Sequence, residues 1–137
     1  MTTATVFHDP EYQQLAAARD SRLTAILRTL DGGALQIFAG TRPEPGEPEA
    51  DAVQLVELPL PAPAFREPAD GRAESHPLQP ANATAAGTAS WWRLVTADGR
   101  PAIDGSVGVG LRLNSTEVAR GATFSINSFA FTFASVR

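Results

Sequence analysis

Few residues in this chain carry chemistry, and their spacing decides what they can do. The only histidines, His8 and His76, lie far apart in segments that read as irregular, so neither has a local partner for metal binding or base catalysis. The acids Glu44, Glu47, Glu49 and Asp51 cluster in "TRPEPGEPEAD", a proline-rich, solvated loop that does not raise a carboxylate's pKa and so makes poor general acids. There is no cysteine and no lysine, which removes thiolate ligands, disulfides, a cysteine nucleophile and Schiff-base chemistry. No nucleophile–base–acid arrangement can be assembled, and the sequence points away from an enzyme and calls for no cofactor.

Two further patterns imitate sites. "GSVGVG", residues 105–110, looks like a phosphate-binding loop, but the strand-like "LRLNST" follows it where a phosphate loop would open a helix. Asp98 and Asp104 are each followed by glycine, Gly99 and Gly105, the residue pair of a tight turn; too few oxygen donors stand nearby for a calcium loop. The sequons "NAT" and "NST" carry no weight without an export signal, and the first ten residues lack the layout of one.

What remains is the pair Trp91 and Trp92. In a strand, neighbours face opposite sides. Trp92 shares parity with Leu94 and is expected in the core. Trp91 shares parity with Arg93 and Val95 and is expected to face the other way. Three roles for that face stay open: cover by the helix, a protein interface, or a platform on which a sugar stacks.

The elements that must position these residues follow from periodicity. At 137 residues and 43% hydrophobic, the chain suits one domain with a core of its own, and its net charge of −4 speaks against a nucleic-acid-binding role. No apolar run reaches the length of a membrane span. Residues 1–10 read as an arm. Residues 11–31 read as a helix, capped by Asp9-Pro10, with Leu15, Ala18, Arg22, Ala25, Ile26 and Leu30 at three- and four-residue steps and Gly32-Gly33 ending it. A second, shorter helix starting at Ser21 is the alternative.

Residues 34–137 read as an antiparallel β-sandwich with irregular loops at 41–51 and 59–83. In "ALQIFAG", Leu35 and Ile37 share one face, and Gln36 and Phe38 the other. "AVQLVEL" is the next strand. The long Pro/Ala stretch after it suggests arms ordered by a partner. In "GATFSINSFAFTFA", Phe124 and Ile126 share one parity, whereas Phe129, Phe131 and Phe133 share the other. A bulge, or a bend from one sheet to another, is therefore expected near Asn127-Ser128.

The order of these blocks resembles a family of small proteins encoded among the structural genes of tailed bacteriophages and prophages. Members share an arginine-bearing helix, a "Leu-x-Ile-Tyr-x-Gly-x-x-Pro" strand and turn, and an "aromatic-Arg-Leu/Ile … Asp-Gly … Gly-Ser-Val/Thr-Gly" block. They end in a "Gly-x-x-hydrophobic-x-hydrophobic-x-Ser-hydrophobic" strand. Here "LQIFAGTRP" carries Phe38 where tyrosine is usual, followed by "GTASWWRLVTADGRPAIDGSVG" and "ARGATFSINSFAFTF". The likeness covers residues 17–42 and 84–133 and consists of packing and turn residues.

It implies a virion component without enzymatic activity, assembled in the bacterial cytoplasm and acting through contacts with other virion proteins and with copies of itself. A capsid-decorating protein, a neck or collar protein and a tail component all fit, and so does a carbohydrate-binding adhesion module on the particle. The family's usual place beside head and neck genes points to decoration or collar. No nucleic-acid or membrane partner is implied.

Overall fold

The computed structural model describes residues 22–44, 47, 52–68, 72–107, 116–126 and 130–132, the backbone alone at Phe131 and Thr132. A helix, α1, covers residues 22–28, and nine strands follow: β1 Ala34–Ala39, β2 Val53–Pro59, β3 Arg72–Glu74, β4 Ala81–Asn82, β5 Gly87–Val95, β6 Pro101–Ser106, β7 Glu117–Val118, β8 Thr123–Phe124 and β9 Ala130–Thr132. The protein is mainly β and antiparallel, as its periodicity requires.

The main sheet runs β2-β1-β5-β6, and β7 pairs with the start of β5 at Gly87 and Thr88. Its centre is the β1–β5 pairing, which sets Leu35 opposite Leu94, Ile37 opposite Trp92 and Phe38 opposite Trp91. Register shifts flank Phe38 on both sides, between Ile37 and Phe38 against β2 and between Phe38 and Ala39 against β5. Such irregularities bend a strand and increase its twist, so the sheet curves along this line.

One face of the sheet is the core. Leu35, Ile37, Val56, Leu58, Trp92, Leu94 and Ile103 are buried there against Leu23, Leu27 and Leu30 at the helical end of the chain. The buried helical stripe is thus Leu23, Leu27 and Leu30; Arg22, Ala25 and Ile26, expected on it, are exposed and only Leu30 is shared. A leucine brings more apolar area than alanine and no charge, so the leucine ladder wins the inward face. Gly32, at φ 76°, reverses the chain after the helix as expected. The exit is then held by the Leu60 amide on the Gly33 carbonyl (2.9 Å) and the Ala64 amide on Asp31 Oδ1 (2.9 Å).

Two ribbons, β3-β9 and β4-β8, complete the core with Phe65, Ala73, Leu78, Ala83 and Ile126. The helix and ribbons facing the sheet make a sandwich-like stack that does not close into a barrel. Here the irregular 59–83 loop needs correction, since it contains β3, β4 and a bridge between Phe65 and Ser75. Its partners are β8 and β9, distant in sequence, so no local period announces the pairing. β8 and β9 belong to different ribbons, as a bend between sheets requires; Asn127, Ser128 and Phe129 themselves lie outside the described residues. So do the arm, the cap at Asp9-Pro10, Ser21, Phe133 and most of "LRLNST".

Candidate functional site

The second face of the sheet holds the residues singled out for function. Strand parity and register bring Gln36 and Phe38 of β1, Trp91, Arg93 and Val95 of β5, and Asp104 and Ser106 of β6 to this side. Phe38 and Trp91 stack with centroids 4.2 Å apart and planes 10° from parallel. The Arg93 guanidinium lies over the Trp91 ring, 5.2 Å from its centroid, a cation–π contact. Arg93 and Asp104 are direct cross-strand neighbours and make a two-pronged ion pair, Nε to Oδ1 at 2.8 Å and Nη2 to Oδ2 at 3.1 Å. Nη2 also donates to the Glu47 main-chain carbonyl at 2.8 Å.

This face corrects the expectation of an open surface. Trp91 is 1% exposed, Arg93 2% and Val95 6%, so they point away from the core but not into solvent. The helix is not what covers them, since its leucines pack on the opposite face with Trp92. Among the described residues, the contact reaching Arg93 from outside the sheet is the Glu47 carbonyl, from the connection between β1 and β2. The Trp91 Nε1–H is buried and has no hydrogen-bond partner.

The second correction concerns Asp104 and Gly105, expected in a turn. Both lie inside β6, paired with Arg93 and Trp92. A Cβ at Gly105 would stand 2.2 Å from Cζ2 of Trp92, so the glycine is there to make room for the indole, whose Nε1 donates to the Ser106 carbonyl at 3.2 Å. Asp-Gly signals a turn only while its carboxylate has no better partner, and a cross-strand arginine is one. Asp98 and Gly99 do form the turn: the Gly99 amide bonds the Thr96 carbonyl at 2.8 Å, and Gly99 has φ 84°. Asp98 there pairs with Arg100 at 3.0 Å in solvent.

The other candidate core residues fall as follows. Trp92 and Leu94 are fully buried, as their parity requires. Phe124 is half-buried in β8, and Phe131 sits in β9 opposite Ala73. Phe38 and Glu47 are the residues sequence reasoning missed as partners of Trp91 and Arg93. Phe38 was within reach, because it already shared the parity of the second face and only the β1–β5 register was lacking. A main-chain carbonyl has no sequence signal at all.

Chemically, this cluster is a closed electrostatic unit. Both Asp104 oxygens accept from Arg93, so the carboxylate is held as an ion-pair partner and not as a free base. His76 is half-buried, with its main-chain amide on the Ala64 carbonyl, and His8 lies outside the described residues. No group of three His, Asp or Glu that could hold a metal ion occurs among the described residues. A cavity of about 240 Å³ between α1 and residues 63–68 is lined by Leu27 and Phe65 and by Arg28, Arg66, Asp31 and Glu67, a charge-balanced set.

Compared with family models, curated proteins and solved structures, the chain gives no match. Function is therefore argued from this chain's own residues. No helix among the described residues is long and apolar enough to cross a membrane.

Proposed function

We propose that the chain is a structural protein of a tailed-phage virion, acting by protein–protein contacts as a capsid decoration or neck (collar) protein and not as an enzyme. The supporting observation is where the blocks of the resemblance meet. Leu35, Ile37 and Phe38 of the "LQIFAGTRP" block lie on β1, Trp91 to Leu94 on β5, and Asp104-Gly105 on β6, three strands paired side by side. Residues scattered through the sequence become one unit of stack, ion pair and packed glycine. A shared pattern that builds a scaffold, with its polar groups turned on one another, fits a protein that holds others in place.

On this reading its partners are other virion proteins and further copies of itself, and it resides in the particle after assembly in the bacterial cytoplasm. The carbohydrate-binding reading loses its platform. A sugar needs an open ring, and Trp91 is stacked on Phe38, overlain by Arg93 and 1% exposed. Mass spectrometry of purified particles tests the proposal, with the chain expected in many copies per particle. Its absence from particles that carry the gene overturns the reading, and gold labelling on the tail in place of head or neck overturns the position.

A further inference from the structure

The second face of the sheet offers two buried donors to its cover, and the cover answers one. Arg93 Nη2 reaches the Glu47 carbonyl at 2.8 Å, whereas the Trp91 indole N–H beside it has no acceptor. A buried donor without a partner is costly, so this arrangement is not the best satisfied one open to the face. The contact that holds Glu47 is to its main chain and carries no side-chain identity. Any chain that places carbonyls at that height can replace it.

The segment that supplies the carbonyl is built to act as a separate piece. The Glu47 amide bonds the Glu44 carbonyl at 3.0 Å, closing a local turn, and both glutamate side chains are exposed. β1 and β2 stay paired up to Ala39 opposite Val53, so the turn can leave the face without undoing the sheet. Within a chain of net charge −4, an exposed acidic turn repels nonspecific neighbours and needs a cation to seat on; Arg93 is that cation.

We infer that the Phe38–Trp91–Arg93 face is a contact surface between copies of this chain, on which the Glu44–Glu47 turn of a second copy takes the place of the resident one and gives carbonyls to both Arg93 and Trp91. The inference rests on the reading of a particle protein present in many neighbouring copies, where local concentration offsets the advantage of the chain's own turn.

The chain has no cysteine, so Glu47→Cys provides a single attachment point for a nitroxide while keeping the main-chain carbonyl. Labelled chain without ¹⁵N is mixed with unlabelled ¹⁵N chain at roughly millimolar concentration, the regime of effective concentrations in tethered assemblies. The Trp91 indole resonance is assigned with Trp91→Phe. It is expected to lose most of its intensity in the mixed sample, with the Trp92 indole as internal comparison. If it keeps full intensity while a sample carrying both labels on one chain is broadened, the inference fails. It fails equally if sedimentation shows association and the Trp91 signal is unchanged. Either failure leaves the virion reading standing, because detection in particles does not depend on it.

Discussion

Trp91 and Trp92 are neighbours in sequence and sit in opposite kinds of interior. Trp92 lies in an apolar layer of leucines, isoleucine and valine, held by shape and by the space that Gly105 leaves. Trp91 lies in a layer made of one phenylalanine, one arginine and one aspartate, held by stacking and a charge pair. The first layer gains from each apolar area it removes from water and loses in proportion when area is removed. The second is closer to all-or-none. Desolvating Arg93 and Asp104 is compensated only while both are present.

That contrast can be broken most strongly at Asp104. Asp104→Ala leaves the Arg93 guanidinium buried without its carboxylate and is expected to destabilise by about 3–5 kcal/mol. Replacing both partners, Arg93→Met with Asp104→Leu, is expected to bring urea stability back to wild type or above, as exchange of a buried pair for apolar residues often does. If the double variant is as unstable as Asp104→Ala, the pair is not acting as a compensated unit.

On the apolar face, Trp92→Ala is expected to cost about 3–5 kcal/mol, and no second substitution in the polar layer rescues it. The two layers thus respond alike to one loss and differently to a paired one. Gly105→Ala forces a methyl against the Trp92 indole ring and is expected to cost about 1–3 kcal/mol by overpacking, read from the urea midpoint. A change within about 0.3 kcal/mol would show that the indole can move aside. At the far end of the scale, Asp98→Ala removes a pair whose side chains are 67% and 79% exposed, and a shift within about 0.5 kcal/mol is expected from thermal melts. Two Asp-Gly pairs of identical sequence would then differ in energetic weight because one has an arginine across the strand.

The burial of Trp91 also changes what its removal means. Trp91→Ala strips the stack from Phe38 and the cover from Arg93, so a loss of stability is expected together with any loss of assembly. Trp91→Phe is the cleaner probe, since it keeps a ring on Phe38 and deletes only the donor that lacks a partner.

Much of the main sheet was legible because its strands alternate. Leu35 and Ile37 against Gln36 and Phe38, and Trp92 and Leu94 against Trp91 and Arg93, fell on the sides that parity assigned them. The helix was legible in its end but not in its inward face, where an ambiguous three-to-four spacing admits more than one stripe and the leucines decide. The 59–83 stretch was read as irregular because three-residue and two-residue strands are too short to display a period. They exist only through β8 and β9.

Alternation is a property of the backbone, so the sequence alone determined that Trp91 and Trp92 part company and that two glycine-containing pairs follow them. It also determined, by lacking cysteine and lysine, which chemistries the chain does not carry. Only the tertiary structure decided which neighbour each side chain meets. Cross-strand register set Arg93 on Asp104 and Gly105 under Trp92, turning an apparent turn into a strand. A connection folding back over the sheet placed a carbonyl on Arg93 and left the Trp91 N–H without an acceptor. Those contacts join residues far apart along the chain, and no local pattern encodes a distance that only folding closes.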